Sequence, residues 1–203
     1  MTLTYKTDSS FFMYVKPPGS HVGLDILRQW FQTSPSGKFR LILDQELDTS
    51  FPSLKDINKF YPGIKTFAVV VNPWARMKII YDSLSEKANP ISHLAGIGLD
   101  KFILKLLDFK NDTNWPFSFT PLTPQTDWLE YIDDAGNLQT VDYVFTAENM
   151  VEEFKIIQDY FMCYDKLSSP VIIPDYQDCY NDTSKNIIAE YFKKDIDKFN
   201  YTF

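Results

Sequence analysis

The chain has little of what specialised chemistry is usually built from. It carries only two cysteines, Cys163 and Cys179, in 203 residues. That excludes a disulfide scaffold, which needs several pairs in a short secreted chain. Two free thiols in a reducing compartment, or one pair across a loop, remain. Two histidines, His21 and His93, with no Cys/His cluster, exclude a zinc site of ordinary spacing. No apolar run is long enough to cross a membrane. The opening MTLTYKTDSSFFMYVK lacks a charged segment followed by a long apolar one, so no secretory leader is expected. Without a leader, the Asn-x-Thr sequons at Asn111, Asn181 and Asn200 read as chance matches. Basic residues are in deficit, 20 Lys and Arg against 27 Asp and Glu, for a net charge of −7. No basic surface is implied and nucleic acid is not an expected partner, although a local basic pocket for a phosphate is compatible with that total.

What is present is core material. Apolar residues make up 44% of the chain and aromatics 16%, mostly Phe and Tyr. The length suits one domain, residues 1–203, with no internal repeat and no low-complexity tract. The expectation is a soluble, cytoplasmic α/β protein with no membrane partner.

SFFMYV (Ser10 to Val15) reads as a strand, KPPGS as a turn, and Val22, Ile26, Leu27, Trp30 and Phe31 fall at helical spacing. FRLILD (Phe39 to Asp44) is a second strand. SLKDINKFY is a short helix with Ser53 as its N-cap. KTFAVVV (Lys65 to Val71) is apolar without alternation, as a strand covered on both faces should be. Trp74, Met77, Ile80, Tyr81 and Leu84 then share a helical face, and LDKFILKLLDF is another amphipathic helix. Residues Asn111 to Gln139, rich in Pro, Thr, Asp and Asn, read as a long ordered loop. VDYVFT (Val141 to Thr146) is a strand, followed by a helix with Met150, Phe154, Ile157 and Phe161 in its core. A last helix carries Ile187, Ile188, Tyr191, Phe192, Ile196 and Phe199, its acids forming a solvated face. Strands alternating with helices predict a mostly parallel sheet with helices on both faces. The strands Phe11–Val15 and Thr66–Val71 are expected to be neighbours, with ligands bound beyond their carboxyl ends.

Four stretches in order resemble the sulfotransferase superfamily, in particular its carbohydrate-type branch. FFMYVKPPGSHVGLDIL is similar to the first strand and phosphate loop, usually I-x-K-T-G-G-T-S. FAVVVNPWARMKIIY is similar to V-R-N-P-W-D-R-L-x-S-x-Y. VDYVFTAENMVEEF resembles R-x-E-N-L-x-x-D-F, and IIAEYFKKDIDKFNY resembles a closing helix that ends in D-x-x-x-F-x-Y. The resemblance covers almost the whole chain. It implies a P-loop-like sheet and a donor, 3′-phosphoadenosine 5′-phosphosulfate (PAPS), whose phosphosulfate lies at a helix N-terminus. It implies a loop Lys that stabilises the leaving oxygen, an Arg and a Ser on the 3′-phosphate, and a base for the acceptor hydroxyl.

On that resemblance Lys16 is the loop Lys, as catalytic and donor-binding residue, against the plainer reading of an exposed turn lysine. Gly19, Ser20 and His21 complete the donor-binding set, with His21 also readable as a polar residue opening a helix. Pro17 and Pro18 replace Thr and Gly, removing two N–H donors. Val71 stands where the 3′-phosphate Arg belongs and Ile79 where the Ser belongs. Losing such a charged partner costs roughly 2–5 kcal/mol of binding. Lys78 points about 100° around the helix from Ile79 and does not replace it. Phe51 falls at the expected base, and Thr146 where the late motif has Arg. Arg76 reads as structural, Asn72-Pro73-Trp74 as a helix-capping turn with Trp74 in the core, and Glu148-Asn149 as a helix start.

Two functions follow. One is a sulfotransferase-like protein with impaired or lost PAPS-dependent transfer, a pseudoenzyme recruited for binding or assembly with protein partners, such as a phage or bacterial structural component in the virion. The other is an active divergent sulfotransferase acting on a hydroxyl of a sugar or small molecule. PAPS is the cofactor in the second case, and none is expected in the first.

Overall fold

A computed structural model of the chain describes residues 3–6, 11–15, 40–43, 53–85, 96–109, 123–153, 155–156 and 173–203. The helix expected around Val22 to Phe31 lies outside these. Secondary structure is mixed helix and strand, and the main sheet is mixed rather than mostly parallel, with two of its four strand pairings parallel and two antiparallel. The residues group into two compact units, Met1–Val71 with Gln125–Ile172, and Asn72–Pro124 with Ile173–Phe203.

The first unit holds the sheet. Its strands are β1 (Leu3–Lys6), β2 (Phe11–Tyr14), β3 (Arg40–Leu43), β4 (Lys65–Val70) and a later strand at Tyr143–Thr146. The order is β3-β1-β2-β4 and then that last strand. β1 runs antiparallel to both β2 and β3. The β2–β4 pair is parallel, with Met13 beside Thr66, and so is the pair of β4 with the last strand, Val69 beside Phe145. The expected neighbours are therefore neighbours, with their carboxyl ends on one rim. β1 was not anticipated, although Leu3-Thr4-Tyr5-Lys6 alternates as a strand should. From Thr66 to Val71 every residue is buried. That is why β4 reads as an unbroken apolar run.

Helix α1 (Leu54–Phe60) begins at Ser53, which caps it as expected. The Ser53 hydroxyl accepts from the Asp56 N–H at 3.3 Å while the Asp56 carboxylate accepts from the Ser53 N–H at 2.8 Å. The reciprocal pair satisfies two donors that a helix start leaves orphaned.

The long loop expected over Asn111 to Gln139 is corrected in its described part. A short helix α2 (Thr126–Leu129) runs into a hairpin of β5 (Glu130–Ile132) and β6 (Leu138–Thr140), and the sheet strand Tyr143–Thr146 is then β7. The turn is built on Asp133, whose carboxylate accepts from the N–H groups of Ala135 and Asn137. Gly136 supplies a φ of +83° that other residues rarely adopt. After β7 a 3₁₀ turn at Ala147–Asn149 opens helix α3 (Met150–Glu153), so Glu148-Asn149 is a helix start as read.

The second unit is helical. It contains α4 (Pro73–Ser85), α5 (Leu99–Phe109), α6 (Asp182–Tyr191) and α7 (Lys193–Phe199). Trp74, Met77 and Ile80 of α4 pack with Leu99, Phe102 and Ile103 of α5 and with Ile188 and Phe192. The single last helix of the sequence reading is two, broken at Phe192 with φ −102° and ψ 24°. Its acids are not uniformly solvated either, since Asp195 is fully buried.

Candidate functional site

The expected donor loop, Lys16 with Gly19, Ser20 and His21, lies outside the described residues, as do Phe51 and His93. The residue before it is described. Val15 is buried and its N–H donates to the Phe67 carbonyl at 2.8 Å, extending the parallel β2–β4 pairing toward the carboxyl rim.

On β4 the same rim ends in Val71, the position where the resemblance calls for an Arg. Val71 is 1% exposed. Its N–H donates to Gln125 Oε1 at 3.0 Å, and its carbonyl accepts from Gln125 Nε2 at 2.8 Å. One fully buried carboxamide thus closes both backbone groups, standing in for a neighbouring strand. Gln125 was not recognised from sequence, because nothing local in TPQTDW distinguishes it from any loop glutamine.

In the second unit, Asn72-Pro73-Trp74 is the capping turn it was read as. The Trp74 N–H donates to Asn72 Oδ1 at 3.0 Å, and the Arg76 N–H to the Asn72 carbonyl at 2.8 Å. Pro73 takes the first helical position, where no N–H is needed. Asn72 Nδ2 donates onward to the Thr202 carbonyl at 2.9 Å. Trp74 is 4% exposed and its Nε1 donates to the Lys185 carbonyl at 3.0 Å. The indole is spent on packing.

Arg76 is structural too. It is completely buried, donates from Nη2 to the Thr123 carbonyl at 3.0 Å, and lies 3.9 Å from the Asp195 carboxylate. Its guanidinium carbon sits 5.4 Å from the centre of the Phe192 ring. Burial lowers its pKa to about 10, against the opposing pull of Asp195. Lys78 is held along the helix by Asp82, its Nζ donating at 2.6 and 2.7 Å. Ile79 beside it is half-buried. Thr146, at the late motif's Arg position, is bound at both its N–H and its hydroxyl by Glu153.

An open cleft of about 420 Å³ exists elsewhere on the first unit, at the amino ends of β4 and β7. Sequence reasoning pointed only to the carboxyl ends. One side carries Tyr131 and Gln139, direct cross-strand partners whose side chains therefore share a face. Tyr131 OH accepts from Asn58 Nδ2 at 3.2 Å, and Gln139 Nε2 donates to Asp133 at 2.7 Å. The lining also includes Asp142, whose carboxylate accepts from Lys65 Nζ at 2.5 Å, the Thr66 N–H at 2.9 Å and the Thr66 hydroxyl at 3.0 Å. Partial burial pushes the Asp142 carboxyl up, but these donors outweigh it and hold the group below its usual value. Asp133 is likewise lowered, chiefly by the Asn137 N–H. A second cleft of about 500 Å³ shares Asn58, Tyr131 and Asp133 with the first.

Among the described residues, no helix is long and apolar enough to cross a membrane. No protein-family model matches this chain, and neither a curated protein nor a solved structure matches it.

Proposed function

We infer that the chain is a sulfotransferase-like protein whose PAPS-dependent transfer is impaired or lost. In this reading the sheet is P-loop-like, with helices on both faces and Lys16, Gly19, Ser20 and His21 at the remnant of the donor loop. The protein serves binding or assembly, with protein partners, as a phage or bacterial structural component would.

The observation that carries the reading is Val71. The position assigned to a phosphate-binding cation is buried and apolar, and its backbone is closed by Gln125. Neither the side chain nor the peptide offers a donor to an anion. The parallel placement of β2 beside β4, and the pairing of Arg76 in the NPWAR stretch with Asp195 in the closing-helix stretch, support the shape half of the reading.

Calorimetry with 3′-phosphoadenosine 5′-phosphate tests it. No micromolar binding is expected, and no sulfuryl transfer from PAPS to hydroxyl acceptors. Affinity near about −8 kcal/mol, or transfer that disappears in Lys16→Ala, would replace this reading with that of an active divergent sulfotransferase acting on a sugar or small-molecule hydroxyl.

A further inference from the structure

The cleft at the amino ends of β4 and β7 is not used by the reading above. Its lining is mixed in a specific way. The lining includes the acids Asp133 and Asp142, whose carboxylates accept, and Lys65, whose ammonium donates. Asn58 and Gln139 each present a carboxamide oxygen, an acceptor, while their amide nitrogens hold Tyr131 and Asp133 in place. One cation against two carboxylates leaves a formal lining charge of −1, the wrong sign for an anion.

We propose that this cleft binds a neutral polyhydroxylated ligand, a short saccharide, with the Tyr131 ring as its apolar contact and the surrounding amides and carboxylates as partners for its hydroxyls. Hydroxyl groups both donate and accept, so they match a lining that offers both. A phosphate or sulfate would meet two carboxylates beside one lysine already committed to Asp142. An apolar ligand would strand polar groups without partners. The volume lies within the range of small-molecule sites. The side chains are held by one another, so little ordering cost remains on binding.

Ligand-observed NMR of the full chain, with maltotriose and cellotriose as probes and inorganic sulfate and spermidine as competitors, tests the proposal. Millimolar saturation transfer from at least one saccharide is expected, undisturbed by sulfate or spermidine. Gln139→Ala and Tyr131→Ala should each weaken it about tenfold, the scale of one lost hydrogen bond or ring contact. Asn58→Ala, which removes a carboxamide of the lining from helix α1, provides a milder variant should Tyr131→Ala fail to fold. No saccharide signal, displacement by either ion, or affinity unchanged in all three variants would overturn the proposal.

Discussion

Arg76 was read from sequence as structural, yet nothing in NPWAR says with what it pairs. The partner, Asp195, lies over a hundred residues away in a stretch that looked like a solvated helix face. A buried charge needs a counter-charge, and only the packed chain supplies one. Removing one member leaves the other stranded, so Asp195→Ala is expected to lose about 3–5 kcal/mol in urea unfolding. Replacing both, with Arg76→Met and Asp195→Leu, should recover most of that loss, because apolar packing needs no counter-charge. A double variant as damaged as the single one would show that the loss comes from shape rather than charge. Tyr180 gives a pH test. Its hydroxyl donates to the Trp74 carbonyl at 2.7 Å, and burial raises its pKa far above the usual value near 10. The folded state keeps the proton while the unfolded chain releases it. Its stabilisation is therefore complete below pH 10 and is lost progressively as pH rises above that. The native protein should exceed Tyr180→Phe by about 1 kcal/mol from pH 7 to 9, and the gap should close in alkaline unfolding curves. Arg76, lowered to about 10, works the other way above that pH, so the comparison between the two proteins isolates the tyrosine.

At the scale of elements, local signals were read well where local physics decides them. The Ser53 cap and the Asn72-Pro73 helix start follow from side chains a few residues apart. The unbroken apolar run of β4 followed from burial on both faces. The hairpin was missed although its signal was present: Asp-Asp-Ala-Gly-Asn between short strands is turn chemistry. Proline and threonine upstream had weighed the whole segment toward loop. The break at Phe192 had no local signal, because Ile187, Ile188 and Phe192 continue the helical spacing of Ile196 and Phe199. Packing of the buried Phe192 ring, not propensity, goes with that bend. Asp142 ties the β4–β7 pair at its amino end through Lys65 and Thr66. Its carboxyl is lowered, so its contribution is present above the ordinary carboxylate range and lost as pH falls below about 4. Asp142→Asn should cost about 1 kcal/mol at pH 7, discounted because Lys65 is half-exposed. The difference should shrink in acid. A gap that persists at pH 3 would assign the loss to geometry.

For the whole molecule, composition makes its own prediction. With a net charge of −7 at neutral pH and an isoelectric point near 4.8, turbidity should peak close to pH 4.8 and clear on both sides. Clear solutions throughout would mean that charge alone does not govern association here. The amino-acid sequence by itself determined the class of most elements, though not of β1 or the β5–β6 hairpin, together with the parallel pairing of β2 with β4, the capping role of Asn72-Pro73-Trp74 and the absence of a cation at Val71. These follow from periodicity, from turn and cap chemistry, and from which side chain occupies a position. Tertiary structure alone decided that Gln125 closes the backbone of Val71, that Asp195 answers Arg76, and that a polar cleft opens at the amino ends of the strands. Each of these joins residues dozens of positions apart. Hydrogen bonds and ion pairs act through distance in space, and separation along the chain carries no information about that distance until the chain has folded.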